Sequence, residues 1–247
     1  NKWFDFNENR KLAILGKSYL KYANDNPEIF IFMFSQTLSN SDRINNYQEF
    51  HKLFLDAINE TIWATESYDI TTVRASVGQF LVSKFISEET DVKVVMSGDG
   101  SDEVCSGYIY NYKAPSLKDL HEEAELRLKE IHLYDGLRAD RATSYHGLEL
   151  RVPFLDYEFV DMYMKISEKL RIPTEERMEK YLLRKAFETY LPDEIVWRRK
   201  DGFSDGVSSF EKPWYEIIHE YTMKHHQLNE KDYYVSVFEK YYPKYGS

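Results

Sequence analysis

A short apolar run, Lys93–Met96 (KVVM), passes directly into Ser97-Gly98-Asp99-Gly100-Ser101-Asp102-Glu103, and this junction constrains the fold more than any other segment. The chain has only ten glycines, and Gly98, Gly100 and Gly107 fall within one stretch of ten residues. Glycines this close let a backbone turn sharply and carry its N–H groups up to an anion. An apolar run with charge before it and glycine after it reads as a buried parallel strand. Helix-period patterns lie on either side. The order strand, glycine turn, helix predicts an α/β fold with an open, doubly wound sheet, whose ligands bind beyond the C-terminal strand ends.

Two readings of the turn stand side by side. In one it cradles a phosphate, with a divalent ion to offset Asp99, Asp102 and Glu103, since three carboxylates in five residues repel a bare anion. In the other it is a helix start and no more: Ser101 as N-cap, acidic residues in the first turn, glycines for the bend alone.

Charge and composition narrow the field. The 247 residues carry 32 basic and 42 acidic side chains, a formal charge of −10, which argues against nucleic acid as a partner. With 43% hydrophobic residues the chain can build a sizeable core. One cysteine, Cys105, excludes an internal disulfide and a cysteine-based zinc site, and fits a reducing cytosol. No apolar run reaches the roughly 20 residues of a membrane span, and no leader pattern opens the chain. Asn1 is not an initiating Met, so the chain is expected to be processed or to be part of a longer one.

Apolar spacing predicts helices over 11–23, 47–63, 72–86, 117–140, 158–166, 179–190 and 214–225. Ile29–Phe34 reads as a second buried strand, Gln36–Asn46 as a loop, and no strong strand candidate follows Pro115. Glu149, Arg151 and Asp156 sit in an apolar frame that suggests buried ion pairs. His146 reads as a hydrogen-bonded helix histidine and Cys105 as inert packing.

Four blocks resemble the synthetase domain of the asparagine synthetase family. They are ESYDITTVRAS (Glu66–Ser76), VVMSGDGSDEVCSGYIYNYKAPS (Val94–Ser116), LYDGLRADRATSYHGLELRVPFLDYEF (Leu133–Phe159) and the block from Met178 to Val207, which opens MEKYLLRKAF and closes WRRKDGFSDGV. The resemblance runs from Tyr47 to about Trp214. It implies a helix-rich α/β fold of the adenine-nucleotide alpha-hydrolase-like (PP-loop ATP pyrophosphatase) type, with an α/β nucleotide-binding part over 1–115 and a mostly helical part over 116–247. It also implies an ATP-dependent amide ligase that turns aspartate into asparagine through β-aspartyl-AMP, with ATP and Mg²⁺, and with ammonia drawn from glutamine. It places the protein in the cytosol, off membranes, and leaves room for a homodimer.

Carried over residue by residue, the resemblance makes Ser97, Gly98 and Gly100 ATP contacts. It makes Asp102 and Glu103 the acidic pair for substrate and nucleotide, with Asp102 as magnesium ligand. Lys180 becomes the lysine that steadies pyrophosphate, and Arg74 a phosphate or substrate binder. Arg138, Asp140 and Arg141 become pocket wall. Departures accompany the match. Asp99 stands where the family has Glu, so adenylate formation is expected to be impaired or retuned there. Cys105-Ser106 replace a Phe-Gly pair. No Ser-Gly-Gly-X-Asp-Ser pyrophosphate loop occurs, and no glutaminase domain is present in these residues. Two further readings follow: a non-catalytic relative that binds a nucleotide or a partner protein, and an adenylating amidotransferase with a different carboxylate, as in β-lactam synthetases.

Overall fold

The computed structural model describes residues 40–198, 200 and 212–243, with side chains from 51 onward. The expected helix over 11–23 and strand at Ile29–Phe34 lie outside these residues. Phe54 onward forms one compact unit, organised around helix pairs and a two-stranded sheet.

The first described helix, α1 (Asn40–Thr65), takes in the expected 47–63 helix and extends it at its start. Asn40–Asn46 was expected to loop from its Ser and Asn content, yet is helical; propensity is a weak prior that context overrides. Helix α2 (Ile70–Glu89) starts at Asp69, whose carboxylate accepts the Thr72 N–H at 2.7 Å. It buries Val73, Val77 and Phe80 together with Thr72, Ser76 and Ser83. That stripe repeats every three to four residues, and its small polar members leave room for a neighbouring helix. The neighbour is α5 (Asp135–Ser144), which buries Ala139, Ala142 and Thr143.

Strand β1 (Val94–Met96) pairs in parallel with β2 (Glu149–Arg151), Val94 opposite Glu149 and Met96 opposite Arg151. The parallel strand was expected; its burial was not. Val94 is 39% and Met96 66% exposed, because among the described residues only two short strands form the sheet and its Val94–Met96 side stays open. Strand β2 went unforeseen, since Glu149 and Arg151 alternate with Leu150 and hide the apolar signal. These two charges do pair (2.8 Å), but in solvent, not in a core, being residues i and i+2 on one strand face. Asp156 likewise is an exposed helix cap, accepting N–H groups of Glu158 and Phe159.

Between the strands lie a one-turn helix, α3 (Ser101–Val104), a 3₁₀ turn (Ile109–Lys113) and α4 (Leu117–Glu130). The expected continuous helix over 117–140 instead breaks at Ile131–Tyr134 before α5. Gly136 explains the tight corner: a Cβ there would stand 2.9 Å from the Ile131 carbonyl oxygen. His146 follows α5 rather than lying in it. Its carbonyl accepts from Ser87 Oγ (2.8 Å), its ring packs edge-on to Phe80, and its Nε2 is buried without a hydrogen-bond partner.

After β2 come α6 (Tyr157–Met164), α7 (Glu168–Arg171), α8 (Tyr181–Phe187) and α9 (Asp193–Val196). Helices α10 (Trp214–His226) and α11 (Glu230–Tyr241) close the described chain. The tyrosine-rich tail is thus a helix that buries Tyr233 and Tyr234, with Tyr233 Oη donating to Asn59 of α1 at 2.7 Å. A smaller core of Val104, Cys105 and Tyr163, joined by Leu155, Phe159, Leu182 and Leu183, underlies the glycine turn. Burial there pushes the Cys105 thiol up to about 12, as expected of inert packing. No described helix is long and apolar enough to cross a membrane.

Candidate active site

The glycine turn leaves the C-terminal end of β1, where the Ser97 N–H still bonds the Arg151 carbonyl of β2 at 2.9 Å. Gly100 holds φ at +88°, and an added Cβ would run into the Leu155 side chain, so the turn needs glycine there twice over. Gly98 differs: nothing lies within 4 Å of where its Cβ would be, leaving bare backbone facing open space.

Ser101 is not the N-cap that one reading of the turn required. It is the first residue of α3, Gly100 occupies the cap position, and the Ser101 hydroxyl accepts from Lys180 Nζ at 2.8 Å. Lys180 arrives from far along the chain. It stands just before α8 with φ at +58°, and its ammonium also lies 3.0 Å from Asp102 Oδ2. Lys200 Nζ reaches the same oxygen at 3.1 Å. Two ammonium groups therefore share one carboxylate, four residues along from the open backbone at Gly98.

Lys180 is anchored through its neighbour. The Glu179 carboxylate, 4% exposed, takes Arg184 Nη2 at 2.7 Å and Tyr112 Oη at 3.0 Å, while Arg184 Nε donates to the Glu179 carbonyl at 2.8 Å. Arg184 also donates to the carbonyls of Val196 and Arg198, which ties α8 to the segment that carries Lys200.

The other carboxylates of the turn face different surroundings. Asp99 points into the wall formed by α2 and α5: Gln79 Nε2 donates to one oxygen at 3.2 Å and Arg138 Nη2 lies 3.4 Å from the other. Both ends of that pair are nearly enclosed, with Asp99 10% and Arg138 11% exposed. Ser97 Oγ bonds Asp99 as well and accepts its N–H at 3.2 Å. Arg138 is held in turn by Asp135 (2.9 Å) and by Gln79 Oε1 (3.1 Å). Glu103 is buried, accepts from Tyr108 Oη, and has its carboxyl pushed above the usual range by that burial.

Of the residues singled out in the sequence, Ser97, Gly98, Asp99, Gly100, Asp102, Glu103 and Lys180 thus belong to one constellation. Arg74 does not join it. Its guanidinium forks onto Glu230 of α11 and lies 5.7 Å from the Tyr215 ring. Arg138 faces Asp99, whereas Asp140 is exposed and Arg141 donates to the Thr65 carbonyl at 2.6 Å. Lys200 was missed. It lay in a quoted block, but nothing in the local pattern sets one lysine of WRRK apart from a solvated charge.

Mg²⁺ is typically held by one or two carboxylates together with substrate phosphate oxygens, and Asp102 is the carboxylate of the turn that would serve. Asp102 Oδ2 is flanked by the two ammonium groups while its Oδ1 is buried without a hydrogen-bond partner, and no group of three His, Cys, Asp or Glu side chains is placed to hold a metal among the described residues. Lys180 and Lys200 supply the positive charge beside Asp102 among the described residues.

Ser106 shows what one departure from the family pattern does. It sits at φ +53°, buried, with Oγ unpaired, in the position after α3 where glycine is the usual residue. A left-handed residue with a Cβ costs roughly 1–2 kcal/mol, against a smaller entropic cost for glycine. Ser106→Gly is therefore expected to raise stability by about 1 kcal/mol, seen as a higher midpoint in thermal unfolding.

Comparison with known proteins shows which family the chain resembles. The asparagine synthase family model matches residues 50–120 and 113–245. Asparagine synthetase [glutamine-hydrolyzing] from Gallus gallus is 48% identical over 208 residues, covering 76% of this chain and 37% of the relative. The Homo sapiens relative of the same name is 46% identical over 210 residues with the same coverage, and that of Mesocricetus auratus 50% over 178 residues, 71% of this chain and 31% of the relative. The chain thus spans about a third of the length of these relatives. It belongs to the asparagine synthase family, a family of carbon–nitrogen ligases.

Proposed function

We propose that this chain is the synthetase part of an ATP-dependent amide ligase that makes asparagine from aspartate. An oxygen of the aspartate side-chain carboxylate attacks the α-phosphorus of ATP, the bond to the β-phosphate oxygen breaks, and β-aspartyl-AMP and pyrophosphate result. The lone pair of ammonia then attacks the activated carbonyl carbon, a proton is lost, and AMP leaves. Ammonia would come from glutamine, as the name of the relatives indicates, through a part of the protein outside these residues. The division into a nucleotide-binding part up to residue 115 and a helical part beyond it, and the PP-loop type of fold, belong to this same proposal.

One observation carries the reading: Lys180 and Lys200 converge on Asp102 beside the open backbone at Gly98. The obstacle in this chemistry is a carboxylate approaching a triphosphate, and then a pyrophosphate that departs with its charge. Preset ammonium groups offset that charge without reorganising at the moment of reaction. Asp102 keeps both lysines in place between turnovers. Ser97 and Gly98 present backbone to the nucleotide, the buried Gly100 shapes the turn behind them, and Asp99 with Arg138 lines the wall beside them. Mg²⁺ is expected with the nucleotide; no step is routed through it here. Arg74 would reach substrate only by leaving Glu230, and the proposal does not need it to.

The engagement of both Asp99 oxygens by Gln79 and Arg138 favours a second reading, a relative that binds nucleotide without turnover. Aspartate-dependent pyrophosphate release from ATP by the intact gene product separates the two, and a panel of other carboxylates in the same assay tests substrate choice. Release with aspartate supports the ligase; ATP binding without release supports the second reading.

A further inference from the structure

We propose that Gly107 is a positioning residue for the ligase reaction: its missing side chain is the space in which Lys180 reaches Asp102. The inference rests on the reading above for its activity readout. Its geometry is independent of it.

Gly107 follows α3 at the point where the chain turns back. Its N–H donates to the Asp102 carbonyl at 2.8 Å, and the Cys105 N–H donates to Ser101 at 3.0 Å, so the backbone here is fixed by the helix it ends. An added Cβ on Gly107 would overlap both Asp102 Oδ1 and Lys180 Cε, and would stand 2.9 Å from Asp102 Cα. Two of those atoms belong to the two ends of the Lys180–Asp102 ion pair. The third is backbone and cannot swing aside. Gly107 itself shows no positive φ, so its requirement is one of space and not of conformation.

Lys180 has few other ways in. It holds the left-handed region at φ +58°, its carbonyl accepts the Arg184 N–H at 3.0 Å, and Glu179 before it is locked by Arg184 and Tyr112. With the Lys180 backbone held, a methyl group at 107 must displace the stem and carry Nζ away from Ser101 and Asp102.

The test is a cycle of Gly107→Ala, Lys180→Ala and the double variant in the intact gene product, reading pyrophosphate release and thermal unfolding. Gly107→Ala should lower turnover by about 10²-fold, the scale of an ångström of misplacement. In the Lys180→Ala background the same change should cost clearly less, about tenfold or below, because only its overlap with Asp102 then remains. Losses that multiply in full would overturn the proposal, since the glycine would then act on the fold and not through Lys180. Should Gly107→Ala fail to fold while the double variant folds, the stem is what the methyl strikes, and the proposal stands. Failure of both to fold counts against it. An unaffected Lys180→Ala enzyme would instead refute the ligase role of Lys180 itself.

Discussion

Replacing Lys180 with alanine is expected to lower aspartate-dependent pyrophosphate release by about 10²–10³-fold, the usual cost of removing one preorganised charge partner from a transition state. The fall should appear in turnover more than in the Michaelis constant for aspartate, because the ammonium meets charge that develops on the leaving group. Stability should change little. Lys180 is a partly enclosed lysine whose removal leaves Asp102 paired with Lys200 at 3.1 Å, so no carboxylate is stranded. Steady-state kinetics beside a thermal melt check both halves. A large loss of stability would mean that Lys180 is a structural ion pair first.

Glu179 should behave in the opposite way. Its carboxylate is buried against Arg184 and Tyr112, and Arg184 also ties together two carbonyls near Lys200. Glu179→Ala removes one partner and leaves a guanidinium without its counter-charge in a mostly enclosed site. Breaking such a pair typically costs about 3–5 kcal/mol. Unfolding in urea should show a loss of that size, and activity should fall too, since the residue next to Lys180 loses its anchor. Glu179→Gln, which keeps hydrogen bonds to Tyr112 and Arg184 but not the charge, should recover part of the loss. A melt unchanged by Glu179→Ala would remove the network from the account.

The sequence made the glycine turn, its preceding strand and most helix centres legible, because these rest on local signals: glycine spacing, an apolar run, and three-to-four-residue periodicity. It also pointed to Lys180, through resemblance and not through periodicity. What stayed hidden was set by distant partners. Arg74 and Arg138 look alike on paper, each an arginine on a helix; only packing shows that one meets Glu230 and the other Asp99. Strand β2 was hidden because Glu149 and Arg151 face solvent on one side of a two-stranded sheet. The kink before α5 depends on a contact between Gly136 and the Ile131 carbonyl that no periodicity registers. Lys200 lay in plain view, but its role exists only where α3 and the chain beyond α9 come together.

The Lys180–Lys200 pair on Asp102 is expected to receive the pyrophosphate end of the nucleotide. A crystal structure of the intact gene product with AMP and pyrophosphate measures this directly. Phosphate oxygens should lie within hydrogen-bond distance of both lysine ammonium groups, with the nucleotide along Ser97–Gly100. Pyrophosphate bound elsewhere, with Lys180 and Lys200 still closed on Asp102 alone, would contradict it.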